Sequence, residues 1–259
     1  MRKPFLLSLL ATNFKSTMAL RKAFLLQAVF MVFNNTLYLA IWWLLFKRFP
    51  EVAGWKYRDM LVLHGVAATG YGLTVVCFGG TRDLARTISD GGLDPLLTQP
   101  RSVLLQVAAS RSIPSGWGDV ASGLLFLGLS DYVSLEHLPV VGLALLSATA
   151  VFTANSVLVH SAAFWAGDVN DLARQAWELL VAFSSYPPAL FDGGLKVFLF
   201  TVVPAGLAAF WPAQLIRQFD LSTALLATAG AVLYALVAVL VFHVGLRRYA
   251  SGNKLLVRS

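Results

Sequence analysis

The sequence predicts an all-α membrane protein, with six transmembrane helices and an amphipathic helix lying in the interface ahead of them. Three observations predict it. The chain is 58% hydrophobic and only 13% charged, against about 45–50% and about 25% in an average soluble domain. Its charges are unevenly spread, and residues 23–46, AFLLQAVFMVFNNTLYLAIWWLLF, contain none. A bilayer-crossing helix needs roughly 20 apolar residues, because the hydrocarbon is about 30 Å thick and a helix rises 1.5 Å per residue. Runs of that kind recur along the 259 residues.

Residues 1–22 come first. Leu6, Leu9, Leu10, Phe14 and Met18 recur at helical spacing beside Lys15, Arg21 and Lys22. This suits a helix lying in the membrane interface. The run that follows is too long for the apolar core of a signal peptide, and no small-residue cleavage site closes it. It reads as a true span.

The expected spans are 23–46, 60–80, 113–130, 138–163, 197–216 and 221–246. The third is short and carries Asp119. The fifth holds Pro204 and Pro212, which remove helix hydrogen bonds and favour a break. Residues 168–184 read as a short amphipathic helix in the segment between spans, led or capped by Asp171. Leu172, Trp177, Leu179 and Leu180 supply its apolar side. No linker or repeat divides the chain, so 1–259 is expected to be one membrane domain. With the N-terminus inside, the inner segments, including 81–112 and 164–196, hold 15 Lys and Arg, and the outer segments hold 5. That asymmetry predicts both termini in the cytoplasm. The net charge of +7 is then the mark of a cytoplasmic membrane face rather than of nucleic-acid binding.

The chain offers little enzyme chemistry. It has no GxxxxGK[ST] phosphate loop and no HExxH zinc motif. FGGTRD at 78–83 reads as the end of a helix, and GYG at 70–72 as small-residue helix packing. Its one cysteine, Cys77, makes neither a disulfide nor a zinc site. No catalytic residue, metal or cofactor is expected in the chain itself. What remains is polar residues within the spans: Asn34, Asn35, Asp119, Asn155 and His160. Such groups usually face a bundle interior or a cavity. They are candidates for a transport path or for interhelical hydrogen bonds.

The polar stretch RTISDGGLDPLLTQPRS, 86–102, lies between two apolar runs. GGLDPLLTQPRSVLLQ (91–106), SAAFWAGDVNDL (161–172), YPPALFDGGLK (186–196) and VVPAGLAAFWPAQLI (202–216) together resemble the permease subunits of bacterial ABC-2 type exporters. The likeness runs over nearly the whole chain. It implies an ABC-2 type fold in the bacterial cytoplasmic membrane. It also implies a second permease, identical or homologous, and two copies of a cytoplasmic ABC ATPase that bind ATP and Mg. It further implies a coupling helix between spans two and three and a re-entrant element near the outer end of span five. A short helix near 82–90, stopped by Gly91 and Gly92, suits the coupling role. Arg82, Asp83, Arg86, Asp90 and Asp94 would then meet a polar partner. A secondary transporter driven by an ion gradient and a non-transport scaffold are the competing readings. No cargo can be named from these residues.

Overall fold

The computed structural model describes residues 5–250, with side chains from Ser8 onward. Arg2, Lys3, Lys254, Arg258 and the side chain of Leu6 lie outside the described residues. The elements begin with α1 (Phe5–Thr17), α2 (Arg21–Arg48) and α3 (Tyr57–Cys77). A 3-10 turn (Gly79–Asp83), α4 (Leu84–Ser89), α5 (Asp94–Leu97), α6 (Val103–Ala108) and α7 (Ser115–Gly128) follow. Next come α8 (Leu138–His160), α9 (Ala163–Ala166), α10 (Asn170–Ser184) and α11 (Gly193–Thr201). A π-helical stretch (Gly206–Phe210) runs into α12 (Trp211–Arg217), and α13 (Leu221–Leu246) closes the bundle. The chain is an all-α membrane protein. Among the described residues, α2, α3, α13 and the Leu135–Ala166 stretch built on α8 are long and apolar enough to cross a membrane.

The centre of the bundle is α3, buried along most of its length. Its backbone meets that of α7 closely because both helices carry glycine at the contact. A Cβ on Gly72 would stand 2.7 Å from Gly116 O, and one on Gly65 would stand 2.9 Å from Gly123 O. Small residues let helix backbones approach this closely in membranes. On its other side, α7 turns Gly118 against Ala28 and Met31 of α2. α7, at the place of the expected third span, is thus a wedge between two long helices. Its 14 residues reach only about 21 Å as a helix.

Two ends of the bundle are distinct. At one, α1 rests on the approach to α7: Asn13 Nδ2 donates to Ala109 O at 2.5 Å, and the rings of Phe14 and Trp117 lie 5.1 Å apart. The same end carries α4 and α9, where Ser89 Oγ donates to Gly167 O at 3.4 Å. At the other end Asp59, Tyr132 and Arg217 meet.

The 197–216 run is not one straight helix: at the break expected from Pro204 and Pro212, α11 and the segment Gly206–Arg217 are bent by 70° at residues 202–205. Pro204 sits in that break. The π-helical stretch lies directly before Pro212 in the first turn of α12. A register change of this kind absorbs the hydrogen bond that a proline cannot donate. Nor is 164–196 a simple excursion on one side of the bundle. It contains α10, which starts beside α4 and ends where Tyr38 OH donates to Ser185 O at 3.0 Å. Midway along it, the buried Trp177 packs on Tyr71 of α3 (5.9 Å) and Phe152 of α8 (6.0 Å). Ala173, Trp177, Leu180 and Ser184 form its buried face, while Leu172 and Leu179 stay exposed. Asp171 does not cap this helix. Asp168 accepts from Asn170 N, and Asp171 pairs with Arg174 at 3.4 Å.

Candidate functional site

A cavity of about 220 Å³ lies where α2, α3, α7, α8 and α10 converge. Its polar lining comes from Asn34, Asn35, His64, Tyr71, Asp119 and Ser185. Asn35 is buried and donates from Nδ2 to Asp119 Oδ1 (2.9 Å) and to Ser122 Oγ (2.8 Å). This cross-link joins α2 to α7 next to the glycine contact. The other carboxylate oxygen, Asp119 Oδ2, has no partner, and neither ring nitrogen of His64 has one. The His64 ring stacks on Tyr38, with 4.7 Å between centroids. A buried polar atom left unpaired costs about 1–3 kcal/mol. The unpaired atoms of Asp119 and His64 bring that cost to the wall of this pocket.

The five polar residues singled out from the sequence do not form one path. Asn34, Asn35 and Asp119 line the cavity, while Asn155 and His160 do not. Asn155 Oδ1 accepts from Tyr234 OH at 2.8 Å and joins α8 to α13. His160 bonds through Nδ1 to Ser156 O at 2.7 Å. Asn155 fits the interhelical hydrogen-bond reading, whereas the bond of His160 stays within α8. His64 and Tyr71 were missed. In the 70–72 stretch the two glycines do pack closely, but Tyr71 between them reaches the cavity. A lone histidine and a tyrosine in a glycine pair carry no motif, so only the fold brings them to Asp119.

The polar segment after α3 is anchored into the bundle. Leu84, Ala85 and Ile88 of α4 are buried, and a Cβ on Gly80 would run into Val107 O. The helix stops at Gly91, whose φ of 75° is a left-handed value that only glycine adopts freely. Gly92 N donates to Thr87 O at 2.8 Å across that stop. The charged residues divide, which narrows the contact set expected from the sequence. Arg82 turns to the Tyr71 hydroxyl at 3.4 Å, and Asp83 pairs with Arg111 at 2.7 Å. Asp94 lies at the Tyr249 hydroxyl, whose pKa rises to about 12, mainly through burial and then through that carboxylate. Arg86 and Asp90 face outward and pair only loosely with each other at 3.4 Å.

The bundle thus carries a partly open pocket with several polar side chains in its wall, and a polar helix keyed into one end. The chain belongs to the ABC-2 transporter family: the pattern described as ABC-2 family transporter protein matches residues 32–252. No curated protein and no solved structure matches it. Membership makes the chain a multi-pass permease of the ABC exporter type, a class that works with an ABC ATPase.

Proposed function

We propose that this chain is one of two permease subunits of an exporter in a bacterial cytoplasmic membrane. Two copies of a separate ATPase, which bind the ATP and magnesium, would drive it. The observation that carries this reading is the outer face of α10. Around the rest of its circumference that helix exposes Asp171, Arg174, Gln175 and Glu178, together with Leu172 and Leu179. Trp177 packs on the middle of α3 and α8. Charged side chains at such depth are costly against lipid and usually face a bundle interior or a water-filled cavity. A second permease set against this face would turn it into the wall of an aqueous path.

In this reading, α4 receives the motion of the ATPase. Its apolar side is locked into the bundle, so a push on Arg86 and Asp90 is passed to α8, α9 and α10. The α4 end is then cytoplasmic, and the Arg217 end faces outward. The bent pair α11–α12 becomes the re-entrant element near the outer side, and α10 becomes the fifth crossing. Lys196 then moves from the inner to the outer group and Arg174 falls within the crossing, which leaves 13 basic residues inside against 6 outside. The orientation rule still points the same way.

Co-expression with an ABC ATPase from the same organism, followed by purification in detergent, tests the proposal. A stable complex with vanadate-sensitive ATP hydrolysis, and no hydrolysis by this chain alone, is the expected result. ATP hydrolysis by the single pure chain, or failure to retain the ATPase, contradicts it.

A further inference from the structure

We propose that the interior cavity binds a small organic ammonium ion, with Asp119 as its counter-charge. Three features carry this. The lining includes a carboxylate and no lysine or arginine; Arg82 reaches only the hydroxyl of Tyr71, at 3.4 Å. Asp119 is buried and its Oδ1 is held by Asn35, while Oδ2 has no partner. The cavity also has aromatic walls from Tyr71 and Phe152, with the unpartnered His64 ring beside them. A carboxyl group beside aromatic faces is the chemistry that recognises quaternary and primary ammonium groups. A buried charge needs a counter-charge or a polar partner, and no side chain in the lining supplies a positive one. At about 220 Å³, the space falls below the roughly 300–1,000 Å³ typical for drug-sized ligands, which points to an ion of few heavy atoms.

The binding site stands on this geometry alone; its role as a cargo site rests on the permease reading. The test therefore uses the full chain without ATPase or ATP. Choline and its uncharged carbon isostere, dimethylbutanol, are titrated into the detergent-purified chain by calorimetry. Choline is expected to bind saturably, with the isostere at least about tenfold weaker. Asp119→Asn keeps the shape and can still pair with Asn35, yet it should weaken choline binding by about tenfold or more. Tyr71→Leu should weaken choline and leave the isostere unchanged. No saturable choline binding, equal binding of the two probes, or full binding by Asp119→Asn would each overturn the proposal. If Asp119→Asn does not fold, the wild-type comparison and Tyr71→Leu still decide it. Failure here leaves the ATPase complex untouched, so it is distinguishable from failure of the permease reading.

Discussion

Arg217 donates from Nε to Asp59 Oδ1 at 2.9 Å, tying the end of α12 to the first turn of α3. Both side chains are buried, at 15% and 4% exposure. The pair is fully partnered. Tyr132 OH donates to the same carboxylate at 2.6 Å, Lys56 N donates to its other oxygen at 2.8 Å, and the guanidinium lies 4.5 Å from the Trp55 ring centre. Removing one member of a buried pair leaves an uncompensated charge and typically costs about 3–5 kcal/mol. Arg217→Gln is expected near the low end of that range in detergent unfolding, because Tyr132 and Lys56 N still serve Asp59. The double variant with Asp59→Asn should lose less than the sum of the singles. Strict additivity would mean that the contact carries no coupling.

The glycine contact between α3 and α7 predicts a sharp contrast. Gly72→Ala places a Cβ 2.7 Å from Gly116 O and 2.8 Å from Val120 N, which are backbone atoms with little room to move. Overpacking of this kind costs about 1–3 kcal/mol. Gly142→Ala on α8 meets nothing within 4 Å and should be neutral or stabilising by up to about 1 kcal/mol. Melting temperatures of the two variants in the same detergent check this. Equal effects would refute the close packing.

Asp220 begins α13 as its N-cap, accepting from Ser222 and Thr223. The Ser222 hydroxyl and then the backbone N–H groups hold its pKa down, from 3.8 to about 2. A depressed folded value means that the stabilising contribution is present above the ordinary pKa and is lost as pH falls through about 2. Asp220→Ala should therefore melt lower than wild type above pH 4, and the difference should shrink as pH falls through about 2. A difference undiminished at pH 2 would assign the effect to something other than this carboxylate.

Much of this architecture is legible in the chain, and the exceptions share a cause. The long helices α2, α3, α8 and α13 announce themselves because lipid-facing and buried residues are both apolar. In α10, the buried side (Ala173, Trp177, Leu180) alternates with Asp171, Arg174 and Glu178. Average hydropathy therefore hides it, and it reads as a surface helix. The neighbouring 197–216 run is apolar enough to resemble a span, and only Pro204 and Pro212 hint at the bend. At the cavity, Asn35 and Asp119 stand out as polar residues in apolar runs. Their contact across 84 positions, and the arrival of His64 beside them, depend on how α2, α3 and α7 pack.

The α4 segment predicts two separable defects. Arg86→Glu changes a side chain that is 77% exposed, so folding should be unchanged while retention of the ATPase falls. Gly91→Val strains a backbone with φ of 75° and should distort the stop of α4 without altering charge. Both variants should insert normally and lose ATPase in pull-down from membranes. Full retention by both would make the segment an ordinary loop.

The path of residues 170–217 is tested most directly by cysteine labelling. In a Cys77→Ser background, single cysteines replace Ser89, Ser134, Asp192 and Lys196, and an impermeant thiol reagent is added to intact cells. If α10 crosses the membrane and α11–α12 returns as a bent pair on the outer side, positions 134, 192 and 196 react and 89 does not. Positions 192 and 196 that stay unlabelled with 89, and react only after the membrane is opened, would contradict the account.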